Sequence, residues 1–189
     1  RYGVVPTDPS GWVTGFIEKP PHHHAPCPWV NGGVYVLEPS ILDRIDSGRP
    51  VSVEREVFPG MAREGVLRGF HSEAYWVDTG TPETYLGAQL ELLGGGRGQA
   101  VAGIHDEARV ADSAEVLRSV LGRGTVVDEG ACICDSVVMA DSKVGAGASI
   151  EQSIVGFGAS IGDEASVSDF SLIGHGAVVS KGENLAATR

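Results

Sequence analysis

Basic side chains are scarce in this chain. Lys and Arg number 14 against 25 Asp and Glu, a formal net charge of −11. That balance argues against a general nucleic-acid surface and against docking on an anionic membrane. A nucleotide stays open, because it needs only a local cation. Long apolar runs are also missing: none reaches transmembrane length, and no signal peptide is visible. Cysteine is limited to Cys27, Cys132 and Cys134, too few and too oddly placed for a disulfide framework or a zinc site. A cytoplasmic, reducing setting is the resulting expectation. The chain has no initiator Met, and strand-like sequence starts at its second residue, as expected of a chain that begins inside a domain. No glycine-rich loop opens a helix in a way that would cradle a triphosphate. The one candidate, Gly94 to Gly98, follows a helical pattern instead of preceding one, so its amides are wrongly placed for an anion, and it reads as a linker.

What is present fills 189 residues, room for one large domain or two small ones. Charge and apolar content are ordinary for a folded chain. In the first half, strand and helix patterns alternate. Residues 2–5 and 12–17 read as paired strands around the turn Asp8-Pro9-Ser10-Gly11. Residues 20–28 form a Pro- and His-rich loop, and 31–37 read as a buried strand. Residues 39–45 suit a short helix, and 52–64 a helix interrupted at Pro59. Further strands are expected at 66–70 and 74–77. Residues 81–93 form a helix with Leu86, Leu90 and Leu93 on one face, stopped by glycines.

After the glycines the sequence repeats. One aliphatic column reads Ile104, Leu121, Val138, Val155, Leu172. A second reads Val110, Val127, Val144, Ile161, Val178, and a third Val116, Ile133, Ile150, Val167. Each step is 17 residues. An aliphatic residue every five or six positions, with small residues between, predicts three short flat faces per coil and a core shared between stacked coils. This pattern resembles the hexapeptide-repeat left-handed parallel β-helix. The resemblance supplies the hand, since right-handed crossovers are the general rule.

The stretch Trp76-Val77-Asp78-Thr79-Gly80-Thr81-Pro82 sets one carboxylate between an apolar segment and a strongly capped helix. Thr81 suits the N-cap, Pro82 the first helical position and Glu83 the positive helix end. A carboxylate fixed between two rigid elements suits metal or substrate work. A solvated strand-end Asp is the competing reading.

Four segments in order, Arg1-Tyr2-Gly3-Val4-Val5, Glu18-Lys19-Pro20, Asn31-Gly32-Gly33-Val34-Tyr35 and Trp76 to Thr81, resemble the second half of a sugar-1-phosphate nucleotidyltransferase domain. The likeness covers residues 1–93 and is sharpened by the β-helix that follows. It implies an α/β, Rossmann-like partial catalytic domain with its linker over 1–98, and the β-helix over 99–189. The implied reaction is nucleotidyl transfer from an NTP to a sugar 1-phosphate, giving an NDP-sugar and pyrophosphate. The β-helix and the segment Ser52-Val53-Glu54-Arg55-Glu56-Val57-Phe58-Pro59 favour the mannose-1-phosphate guanylyltransferase-like branch. Thr79-Gly80-Thr81 is equally at home in thymidylyltransferases.

By the same resemblance, Asp78 corresponds to the second of two carboxylates that hold a divalent cation, usually Mg²⁺, and is catalytic. Lys19 corresponds to the lysine that meets the sugar phosphate. Glu18 corresponds to a carboxylate that binds sugar hydroxyls. Asn31 and Gly33 line the sugar pocket, and Gly3 makes a backbone contact to the sugar. Taken alone, each has a plainer reading: solvated charges for Glu18 and Lys19, a turn for Gly33, core for the Gly3 segment. The triphosphate loop and the first metal carboxylate have no counterpart here, so the chain is expected to be a fragment inactive alone. A regulatory or assembly subunit, or a hexapeptide acyltransferase using His175 as base, are the alternatives. His175 reads more simply as a turn residue. His22, His23 and His24 read as a solvated loop rather than a metal site. One of Cys132 and Cys134 is expected to face inward. Trp12, Trp29 and Trp76 are expected in the core. Open coil ends and flat faces suggest a homo-oligomer.

Overall fold

With an aliphatic residue at every fifth or sixth position, the chain can bury its apolar side only by coiling and stacking coil on coil. The computed structural model, which describes residues 2–21, 25–95 and 100–189, has this arrangement. Its strands are β1 (Arg109–Val110), β2 (Glu115–Leu117), β3 (Val120–Leu121), β4 (Val126–Val127), β5 (Cys132–Cys134), β6 (Val137–Val138), β7 (Lys143–Val144), β8 (Ser149–Glu151), β9 (Ile154–Val155), β10 (Ser160–Ile161), β11 (Ser166–Ser168), β12 (Leu172–Ile173), β13 (Val178–Val179) and β14 (Asn184–Ala186). They form three parallel sheets, ordered β1-β4-β7-β10-β13, β2-β5-β8-β11-β14 and β3-β6-β9-β12. The result is a parallel β-helix of about five turns, in keeping with the left-handed form.

The three aliphatic columns line its interior, and Ile133, Val138, Val144, Ile150, Val155 and Val167 are all fully buried. The 17-residue step fails in the last coil. Val155 pairs with Ile173, Ile161 with Val179, and Val167 with Leu185, one residue beyond the expected partner in each case. Leu172 and Val178 therefore leave the inward columns. Val178 is 75% exposed while Val179 is buried. The extra residue sits at the corner after β11. There Asp169 and Phe170 both take left-handed φ, where earlier coils use one such residue, Arg118, Asp135 or Gln152.

Beside that corner runs a column of buried serines, Ser119, Ser136, Ser153 and Ser171. Each Oγ donates to a carbonyl of its own corner. Each also accepts the backbone N–H of the residue stacked on it, ending with Thr188 on Ser171. A buried hydroxyl that is satisfied in both roles costs little and fixes register.

Leu172 belongs to an outward column, in register with Ile154, Val137 and Val120. The helix Pro82–Leu93 covers it, with Leu86 packed on Val137 and Ile154. Its N-terminus carries a capping box: Thr81 Oγ1 accepts from the Thr84 amide, and Thr84 Oγ1 accepts from the Thr81 amide. Gly95, at φ +65°, closes it. This packing joins the helix to the β-helix in one compact unit, Val77–Arg189.

The other unit is Arg1–Trp76. Antiparallel bridges link Val4 to Ile17 and to Val30, Thr7 to Val13, and Trp12 to Arg68. The expected hairpin forms, with a one-residue register shift between its two bridges, a bulge. Asp8 Oδ1 accepts the Ser10 and Trp12 amides and shapes the turn. Residues Pro39–Arg44 form a 3₁₀ helix. One π-helical turn, Val53–Val57, runs into the α-helix Phe58–Arg63; the helix expected over 52–64 is not interrupted at Pro59, which sits in the first turn of the α-helix, where its missing N–H costs nothing.

Several expectations are corrected. Residues 31–37 and 74–77 are not strands, and 66–70 contribute only the Arg68 bridge. Val34 and Val36 are 85% and 99% exposed instead of buried. Their β-prone sequence suits a half-buried pleated surface, but no ladder partner stands beside them among the described residues. Trp12 and Trp76 are exposed rather than core: Arg68 lies over the first ring, and Tyr2 meets the second edge-on. Trp29 stacks on His71. Cys132 and Cys134 both face outward, because residues two apart share a face and the buried position between them is Ile133. His22, His23 and His24, and the linker beyond Gly95 as far as Gly98, lie outside the described residues. Among the described residues no helix is long and apolar enough to cross a membrane.

Candidate active site

The hairpin of the first unit brings three of the expected residues together. The Asn31 amide donates to the Gly3 carbonyl at 2.8 Å, and Val4 and Ile17 exchange two backbone hydrogen bonds. Gly3 is buried, and the space beside it is taken. A Cβ there would stand 2.7 Å from Glu18 Oε2 and 3.5 Å from Asn31 Cβ. A Cβ at this position would have to displace the Glu18 carboxylate, so Gly3, Glu18 and Asn31 are packed against one another.

Lys19 follows Glu18 with φ +50°, a left-handed conformation uncommon for a side-chain-bearing residue. Its ammonium lies 3.7 Å from Glu18 Oε1 and stays largely exposed. An exposed pair of this kind contributes little to stability. It leaves a cation available beside a carboxylate acceptor.

Asn31 is the most constrained side chain of the group. Its Oδ1 accepts the Gly33 amide at 3.0 Å, and its Nδ2 donates to Tyr35 Oη at 2.6 Å. Gly33, at φ +72°, makes the tight turn that this contact needs. Tyr35 Oη donates on to Glu54 Oε1 at 3.2 Å, and Ser52 Oγ donates to Glu54 Oε2 at 3.1 Å. Partial burial holds the Tyr35 phenol above its ordinary value, opposed by the Asn31 hydrogen bond and aided by the Glu54 charge. The phenol is thus a secure proton donor at neutral pH. Trp76 Nε1 donates to the Gly32 carbonyl at 3.0 Å and holds the other side of the loop. Tyr35 and Glu54 are the residues that sequence reading passes over. The available signal was their place inside the two quoted segments, Asn31 to Tyr35 and Ser52 to Pro59.

Asp78 lies in the other unit. Its Oδ1 accepts the Gly80 amide at 2.9 Å, just before the capping box, and the side chain is exposed. One carboxylate oxygen is thereby used in the turn, and the second has no partner among the described residues. That fits a single protein ligand to Mg²⁺, which commonly takes one or two carboxylates and keeps several waters. Among the described residues no group of three His, Cys, Asp or Glu could hold a metal by itself. His175 Nδ1 accepts the Phe157 amide at 3.0 Å, and its ring leans on Phe157, the turn role expected for it.

Chemically, the first unit offers an acceptor (Glu18), an oriented carboxamide (Asn31), open backbone access at Gly33 and a cation (Lys19). That set suits a polyhydroxyl ligand carrying an anionic group. The family model described as nucleotidyl transferase matches residues 1–95, and that described as GMPPB C-terminal domain matches 99–187. The chain is 39% identical over 163 residues to a mannose-1-phosphate guanylyltransferase of Mycobacterium tuberculosis, covering 80% of this chain and 44% of that protein. It is 44% identical over 88 residues to a mannose-1-phosphate guanyltransferase of Schizosaccharomyces pombe, covering 46% of this chain and 23% of that protein. It is 29% identical over 188 residues to a probable mannose-1-phosphate guanylyltransferase 3 of Oryza sativa, covering 92% and 51%. The chain thus spans about half the length of these curated relatives, or less.

Proposed function

Because the chain belongs to the nucleotidyl transferase family, we propose that it supplies the sugar-phosphate part of a nucleotidyltransferase site, with mannose 1-phosphate and GTP as substrates. The observation that carries this reading is the convergence of Gly3, Glu18 and Asn31, with Lys19 adjoining. The names of the relatives support the choice of sugar and base.

In the proposed reaction a phosphate oxygen of the sugar 1-phosphate attacks the α-phosphorus of the triphosphate. The bond from that phosphorus to the bridging oxygen breaks, and pyrophosphate leaves. Little covalent work falls to side chains; alignment and charge neutralisation dominate. Glu18 accepts from sugar hydroxyls, and Asn31 fixes their orientation. Gly33 lets the backbone approach the ring closely, and Gly3 makes room for the Glu18 carboxylate. Lys19 neutralises the sugar phosphate and keeps its attacking oxygen in place. Asp78 would be the residue that holds a Mg²⁺ ion, and the charge neutralisation that such an ion supplies would fall on the phosphate oxygens. We read the protein as a cytoplasmic homo-oligomer associating through the flat β-helix sheets that the helix Pro82–Leu93 leaves uncovered.

The test is pyrophosphate release by the longest in-frame product carrying these residues, against a panel of sugar 1-phosphates and NTPs with Mg²⁺. Release with mannose 1-phosphate and GTP is expected. No release with any pair overturns the reading.

A further inference from the structure

We propose that Tyr35 and Glu54 are positioning residues of the sugar pocket, acting by holding the Asn31 carboxamide in the one orientation that can meet a sugar hydroxyl. The proposal rests on the sugar-phosphate reading above and adds to it two residues and a direction of hydrogen bonding.

A carboxamide can turn over, exchanging its donor and acceptor ends. Here both ends are specified. The Gly33 amide can only donate, so it fixes Oδ1 on its side. On the other side the Tyr35 hydroxyl has one proton, which goes to the Glu54 carboxylate. A carboxylate can only accept, so the phenol oxygen must in turn accept from Asn31 Nδ2. Ser52 Oγ donates to the second Glu54 oxygen and holds that carboxylate in place. The direction of the whole chain is therefore set by Glu54, 23 residues from the amide it controls. An NH₂ group has two protons. Tyr35 takes one, and the other is the donor assigned to the ligand.

The tyrosine itself cannot swing away freely. Its ring meets Phe58 edge to face, with centroids 4.9 Å apart, and Phe58 is the most buried large side chain of the first unit. Phe58 also packs on Phe16, two residues before Glu18. The segment Ser52 to Pro59 thus serves the pocket from outside it. Phe58 braces the tyrosine, Glu54 orders its proton, and Glu56 ties the turn through Arg49 and the Ser52 amide.

The experiment is steady-state kinetics on the longest in-frame product with mannose 1-phosphate, GTP and Mg²⁺, with melting temperatures measured in parallel. Tyr35→Phe keeps the ring and removes the hydroxyl. It is expected to raise KM for the sugar phosphate about fivefold to tenfold, the scale of one lost hydrogen bond. KM for GTP and kcat are expected to move less than about twofold. Glu54→Ala is expected to match Tyr35→Phe, and Glu54→Gln, which still accepts the phenol proton, to recover most of the loss. Combined with Asn31→Ala, Tyr35→Phe is expected to add nothing further, because both act through one group.

Additive losses in the double variant overturn the proposal, as does a Tyr35→Phe enzyme with unchanged KM. A fall in melting temperature that moves kcat and both KM values together overturns it in favour of a merely structural role. In each case the sugar-phosphate reading survives so long as Asn31→Ala still raises KM. Asn31→Ala with unchanged KM overturns the reading and the proposal together.

Discussion

Gly3 packs directly against the carboxylate of Glu18. A methyl group there would fall 2.7 Å from Glu18 Oε2, well inside contact distance, and must push the carboxylate aside. Gly3→Ala is therefore expected to raise KM for the sugar phosphate by about tenfold or more while the protein still folds, since the displaced group is the end of a flexible side chain that is 20% exposed. Saturation curves and a melting scan check both halves of that statement. Asp78 is different: its backbone role is modest and its second oxygen is free to bind. Asp78→Asn keeps the Gly80 contact and removes the charge. It is expected to abolish Mg²⁺-dependent turnover with the melting temperature nearly unchanged, and near-wild-type turnover would remove Asp78 from the metal site. At this scale the sequence singled out Gly3, Glu18, Lys19 and Asn31 by resemblance, and these four lie together in the first unit. It placed Tyr35 and Glu54 inside quoted segments but gave neither a role. Their hydrogen bond spans 19 residues, and no local pattern marks it.

Among elements, the β-helix was legible because a core made of stacked equivalents writes its period into the sequence. Its last coil was not. Leu172-Ile173 and Val178-Val179 are adjacent apolar pairs, so a slip of one residue leaves the hydrophobic pattern intact. Only the doubled left-handed corner at Asp169 and Phe170 reveals it. The docking of the helix Pro82–Leu93 could have been read from Val120, Val137 and Ile154, a fourth aliphatic column facing outward, since one column per sheet suffices for the interior. Leu86 is the centre of that contact. Leu86→Ala is expected to cost about 2–4 kcal/mol, the range for a buried leucine deletion, and to loosen the helix from the β-helix. Chemical denaturation and hydrogen exchange on 82–93 report the two effects. A cost under about 0.5 kcal/mol, the scale of a surface change, would mean that the helix is not anchored there. The strands expected at 31–37 and 74–77 failed for the opposite reason. Propensity resides in the residue, but a strand exists only with a partner, and sequence pattern does not supply one.

For the whole molecule, the division of labour follows the two units. The first carries the residues that suit a sugar and its phosphate; the second carries Asp78 and the β-helix. The chain's net charge of −11 works against anionic substrates at long range, so recognition of a phosphate must depend on a local cation. Lys19 is the cation beside Glu18, and the proposed recognition of a sugar phosphate depends on it most. The direct measurement is calorimetric binding of mannose 1-phosphate and of free mannose to the longest in-frame product, wild type and Lys19→Ala. The wild type is expected to prefer the phosphorylated sugar by about tenfold or more, and Lys19→Ala to lose that preference while keeping its weak affinity for mannose. Equal affinity of the wild type for the two sugars, or an undiminished preference in Lys19→Ala, would contradict the account.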